Sequence, residues 1–96
     1  MPVEIEDVAV FPAPPDARAT GLLAWATVAI RGVRVDGLAV RSSRRRALSV
    51  TWPERRAANG ARHAIVAVED DGLRGRIEAA VLAAYLDTAR RAGRRA

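Results

Sequence analysis

Apolar and polar positions alternate through the first two thirds of the chain and then change to a helical period. Val3, Ile5, Val8 and Val10 predict an edge or near-edge strand whose alternation slips one step at Glu6-Asp7. Phe11-Pro12-Ala13-Pro14-Pro15-Asp16 should end it, because three prolines in four residues cannot sit in a ladder. From Gly21 to Ile30 both faces are mainly apolar, with Leu22, Ala24, Ala26, Val28 and Ile30 on one and Leu23, Trp25 and Ala29 on the other. That pattern predicts a central strand. Arg31-Gly32 is a weak two-residue hairpin signal, and Val33 and Val35 resume the alternation beyond it. At Asp36-Gly37 the phase changes, so that Leu38 and Val40 take the opposite parity, as a bulge with glycine in the left-handed region would require.

A polar basic turn follows, Arg41-Ser42-Ser43-Arg44-Arg45-Arg46. Leu48, Val50 and Trp52 then alternate with Ala47, Ser49 and Thr51, predicting a strand with one buried and one wet face that Pro53 ends. The segment from Glu54 closes on Asn59-Gly60, a pair that favours positive φ, and residues 62 to 68, with Ile65, Val66 and Val68, predict one more strand. After Asp70-Asp71, which offers an N-cap, Leu73, Ile77, Val81 and Tyr85 recur every four residues with Leu82 and Leu86 beside them. This predicts a helix from about Gly72 to Ala92, stopped at Gly93, with Arg90 and Arg91 at its negative end. Strands followed by a helix give a single α+β domain over residues 1–96: an antiparallel sheet of about five strands, a C-terminal helix packed on it, and a frayed basic tail at 91–96.

Composition limits what such a domain can be. Of the 96 residues 21 are alanine, so the 50% apolar content holds few large side chains. A core that thin is often completed by a second copy, and a homodimer is expected. Without cysteine there is no disulfide, thiolate metal site or thiol nucleophile. The acidic start, Met1 to Asp7, lacks the basic and apolar regions of a secretory signal, and the longest mainly apolar run, Leu22 to Ile30, is too short to span a bilayer. The expectation is a soluble cytoplasmic protein with no membrane partner.

All 16 cationic side chains are arginine. The net charge of +5 is polarised along the chain: −3 over residues 1–30, +7 over 31–62, −3 over 63–89 and +4 over the last seven. Guanidinium is planar and bidentate, so the middle block suits phosphate, provided the fold gathers its arginines.

The ordered pieces Val35-Asp36-Gly37-Leu38-Ala39-Val40, then Leu48 to Arg56 with Trp52-Pro53-Glu54-Arg55-Arg56, then Asn59-Gly60, then Arg74-Gly75-Arg76-Ile77-Glu78-Ala79-Ala80-Val81-Leu82-Ala83-Ala84-Tyr85 resemble the SpoVG family of small bacterial septation and sporulation regulators. Ile5-Glu6-Asp7-Val8 is similar as well, so the likeness spans nearly the whole chain. The resemblance implies an antiparallel sheet with a C-terminal helix, a homodimer, and binding of DNA and RNA in gene regulation. It also assigns the basic pair after the proline, here Arg55 and Arg56, to nucleic-acid contact. Glu54 stands where the family has serine, Trp52 where methionine is usual, and Ala67-Val68 where a His-Pro pair precedes the helix.

The candidate nucleic-acid-binding residues are therefore Arg44, Arg45, Arg46, Arg55 and Arg56, with Arg62 and the C-terminal Arg90, Arg91, Arg94 and Arg95 as auxiliaries. The first two groups flank one short strand and should lie on the order of 20 to 30 Å apart, a spacing for a backbone track rather than a compact pocket. Trp52 could stack a base, but it shares parity with Leu48 and Val50, which favours a core or interface position. His63, the only histidine, has no partners at metal spacing, and no catalytic set assembles, so neither metal, cofactor nor enzymatic activity is expected. The alternative reading is an interaction module of the same fold that recruits an acidic protein partner. The small set of four aromatics, Phe11, Trp25, Trp52 and Tyr85, keeps it open.

Overall fold

The computed structural model describes residues 4–95, and of Arg94 and Arg95 the backbone alone. Val3, expected at the start of the first strand, lies outside the described residues. The architecture is α+β. Strands β1 (Ile5–Pro12), β2 (Leu22–Ile30), β3 (Val33–Ser42) and β4 (Leu48–Thr51) form an antiparallel sheet in the order β1-β2-β3-β4. The one-turn helix α1 (Pro15–Arg18) links β1 to β2, and the long helix α2 (Asp71–Arg95) packs on the sheet. The proline-rich stretch is thus a turn of helix: Pro14 is its N-cap and Pro15 supplies the preset φ of a first helical residue.

Three irregularities decide which side chains face the helix. Between Ile5 and Asp7 the ladder with β2 skips a residue, where the sequence slips its alternation, and Ile5 and Val8 both reach the core. On β3, Val35 and Leu38 oppose Val28 and Ala26, so Asp36-Gly37 holds the extra residue, with Gly37 at φ +84. The third was not legible in the alternation. The register also shifts between Leu22 and Ala24, so Leu22 stands opposite Arg41 while Leu23 packs against the core. Beside this bulge Gly21 has φ +91, and its carbonyl accepts from the Ser42 N–H at 2.8 Å.

Ala24, Ala26, Val28, Leu38 and Val40 of the sheet and Ile77 and Val81 of α2 form the buried cluster, flanked by Val8, Val10, Leu73, Leu82 and Tyr85. Each fully buried Val, Leu or Ile contributes about 1.5–3 kcal/mol relative to exposure. The helix begins as its sequence predicts, with Asp70 Oδ1 accepting from the Leu73 N–H at 3.0 Å, but continues through Gly93 to Arg95. None of the described helices is long and apolar enough to cross a membrane.

The strand expected over 62–68 is shorter and pairs elsewhere. Only Arg62–Ala64 is extended (β6), and it pairs with β5 (Glu54–Arg56) in a separate two-stranded sheet rather than adding a fifth strand. Pro53 explains the separation, since it removes a backbone donor at the end of β4 and redirects the chain. Val68 still contributes to the core, from the segment leading into α2.

Candidate nucleic-acid interface

With α2 on one face, no other long helix among the described residues covers the opposite face of the sheet. Ladder partners share a face, so this open side carries Ala9 opposite Thr27, Phe11 opposite Trp25, Trp25 opposite Ala39, Ala39 opposite Thr51, and Arg41 opposite Ser49. The apolar character of both faces of β2 predicts burial on each side, and here the structure departs from it: Trp25 is 42% exposed, and its β1 partner Phe11 is 53% exposed.

At the β4 end of that face the β5–β6 hairpin folds into proximity, and the two enclose an open groove of about 780 Å³. Its sheet side is Trp25, Ala39, Arg41 and Thr51, and its hairpin side is Glu54, Arg55, Arg56 and Arg62. The hairpin is built by its turn: the Ala57 N–H donates to the Ala61 carbonyl at 2.8 Å, the Gly60 N–H to the Ala57 carbonyl at 2.9 Å, and Asn59 Oδ1 accepts from the Ala61 N–H at 3.0 Å. Gly60 takes the positive φ, +85, that the Asn-Gly pair predicts. The Ile65 N–H donating to the Pro53 carbonyl at 3.0 Å extends the pairing by one bond.

Among the described residues, four arginines therefore line one groove with a single acidic residue, Arg56 and Arg62 sharing one face of the hairpin and Arg55 the other. Glu54 Oε1 lies 3.6 Å from Arg62 Nη1, and both side chains are well exposed, so this pair is worth little. Among the described residues Arg41, Arg55 and Arg56 form no ion pair. The ladder also sets Arg56 directly opposite Arg62, a like-charge arrangement that costs stability until an anion relieves it.

Arg44, Arg45 and Arg46 lie away from this groove, in the turn that precedes β4. Ser43 organises that turn: its Oγ accepts from the Arg45 and Ala47 N–H groups at 3.3 and 3.2 Å, and its carbonyl from the Arg46 N–H at 2.9 Å. These donors are thus used inside the turn, and the side chains of Arg44, Arg45 and Arg46 are exposed. Arg44 lines a second, smaller surface depression with Arg18, Thr20 and Ser42. The two basic clusters accordingly sit at opposite ends of β4, and the structure brings Arg41 rather than the turn arginines to Arg55, Arg56 and Arg62.

Trp52 lines the groove and also packs inward, the position its parity favours. It is half-buried against the core, and its indole Nε1–H donates to Glu78 Oε2 on α2 at 2.7 Å, tying the end of β4 to the helix. Arg90 and Arg91 are both paired with Asp87, at 3.3 and 3.2 Å, and the side chains of Arg94 and Arg95 lie outside the described residues. His63 is exposed on the hairpin. Among the described residues no group of three or more His, Asp or Glu could hold a metal ion.

Two groove residues were missed by sequence reasoning. Arg41 looked like part of a turn but ends a strand, and Trp25 looked like a core residue of a central strand. No pattern along the chain marks Trp25 as exposed, because that depends on how many layers cover the sheet. No family model matches the chain, and no curated protein matches it.

Proposed function

We propose that the protein is a cytoplasmic nucleic-acid-binding regulator of the SpoVG type, which holds the phosphates of DNA or RNA in the groove between the open sheet face and the β5–β6 hairpin. The observation that carries this reading is the convergence of Arg41, Arg55, Arg56 and Arg62 on that groove against Glu54 alone. Guanidinium groups held a few residues apart on paired strands match successive phosphates, and the crowding of Arg56 against Arg62 favours an anionic ligand over an empty groove. Arg44, Arg45 and Arg46, at the other end of β4, extend the contact along a backbone track.

Fluorescence anisotropy with mixed-sequence DNA and RNA tests it. Binding at low salt that weakens as salt rises, and that weakens further in the Arg55→Ala plus Arg56→Ala variant, is expected. An absence of binding at low salt, or indifference to that double variant, rejects the reading. Recovery of one defined acidic protein after nuclease treatment would then favour the interaction-module alternative.

We also propose that it acts as a homodimer. The buried cluster is small, and Val33, Ile65 and Leu86 are each more than half exposed in one copy.

A further inference from the structure

We propose that the open sheet face is a platform for unpaired bases, with Trp25 and Phe11 as its stacking surfaces, so that the ligand of the groove is a single strand rather than a duplex. This rests on the phosphate-binding reading of the same groove and names the class of nucleic acid it takes.

Of the four aromatic side chains in the protein, two share this face and stand directly opposite each other in the β1–β2 ladder. They are the two largest exposed side chains among the apolar residues, at 53% for Phe11 and 42% for Trp25. Ala9 and Thr27 flank them on one side and Ala39 and then Thr51 lie across the sheet from Trp25, while Leu22, opposite Arg41, lies on the other side. The small side chains of Ala9, Thr27, Ala39 and Thr51 leave the faces of the rings accessible, and a pair of exposed rings on a sheet is a surface on which successive bases can lie.

Charge decides what covers the rings. Trp25 lines the same groove as Arg41, Arg55, Arg56 and Arg62, so a chain whose phosphates lie along the hairpin has its bases directed at the indole. A duplex cannot use this arrangement, because its bases are stacked on one another and offer only their edges. A second copy of the chain is disfavoured on this face. A two-fold axis through Trp25 would bring the four groove arginines of each copy together, with only Glu54 of each to offset them.

The experiment compares a mixed-sequence single strand with its duplex at one low salt concentration, using the full chain and the variants Trp25→Ala, Phe11→Ala and Trp25→Phe. The single strand is expected to bind at least tenfold more tightly than the duplex. Trp25→Ala should weaken single-strand binding about five- to 150-fold, the range for loss of one stacked base, with Phe11→Ala also weakening it and Trp25→Phe retaining most of the affinity. Because no phosphate contact is removed, the salt dependence of Trp25→Ala should match the wild type, and circular dichroism confirms that the variant folds. Equal or tighter binding of duplex, or unchanged single-strand affinity in Trp25→Ala, overturns the platform while leaving the phosphate reading intact if Arg55→Ala plus Arg56→Ala still weakens binding. Conversion of a dimer to a monomer by Trp25→Ala in sedimentation would also overturn it, by showing a second copy on this face. Absence of all binding removes both readings together.

Discussion

Removing two of the four groove arginines should change the salt dependence of binding by a calculable amount. Each phosphate neutralised on a single strand adds about 0.7 to the slope of log affinity against log salt. Arg41, Arg55, Arg56 and Arg62 all line the groove, and together they account for a slope of about 2.8. Arg55→Ala plus Arg56→Ala should therefore lower the slope by about 1.4, whatever Arg44, Arg45 and Arg46 add, because that term is common to both proteins. Over a fourfold rise in salt the affinity of the double variant then declines about sevenfold less than that of the wild type. The assay is anisotropy of a labelled single strand at four or five salt concentrations. Arg90→Ala plus Arg91→Ala is the control, since both side chains are engaged with Asp87 on the far helix. A double variant whose slope equals the wild type, or a control that lowers the slope as much, would refute the assignment of phosphate contacts to the groove.

The fold offers sharper tests. Gly21→Ala places a Cβ 2.8 Å from the Ser42 carbonyl oxygen at φ +91, and should cost about 2 kcal/mol or more, read as a fall in Tm of roughly 8 °C or more. Ile77→Ala, at a position 1% exposed in the core, should cost about 2–5 kcal/mol in urea unfolding, whereas Leu86→Ala, 52% exposed on the same helix, should stay within about 0.5 kcal/mol unless the dimer covers it. Trp52→Phe removes the donor to Glu78 and should cost about 1 kcal/mol, and in the Glu78→Ala background its cost should shrink, which a double-mutant cycle measures. Sedimentation equilibrium should report a two-chain species, and a monomer at every concentration would reject the homodimer.

Much of the fold is local, and that part was legible. Arg31-Gly32 marks a two-residue hairpin, and both residues take positive φ, +50 and +78, as in a type I′ turn, whose twist matches that of β2 and β3. The changes of parity at Glu6 and at Asp36-Gly37 mark bulges, because a strand that must keep burying one face can absorb an extra residue only by bulging. The four-residue recurrence from Leu73 to Tyr85 marks the buried stripe of α2 for the same reason. The bulge at Leu22–Ala24 left no such mark, since Leu22 and Leu23 are chemically alike and either can face the core.

The candidate site was half legible. Arg55, Arg56 and Arg62 stand out by composition and sit together because an Asn-Gly turn joins their strands, an arrangement the chain encodes within ten residues. Their union with Arg41 and Trp25 belongs to tertiary structure. It depends on the hairpin leaving the sheet at Pro53 and on a single long helix being able to cover only one of two apolar faces. The sequence by itself determined the order of strands and helix, the turns and the location of positive charge, all of which follow from backbone conformation and periodicity within short windows. Only the tertiary structure decided which apolar face stays open, since burial is a property of the layers that meet and not of the strand that carries the side chains.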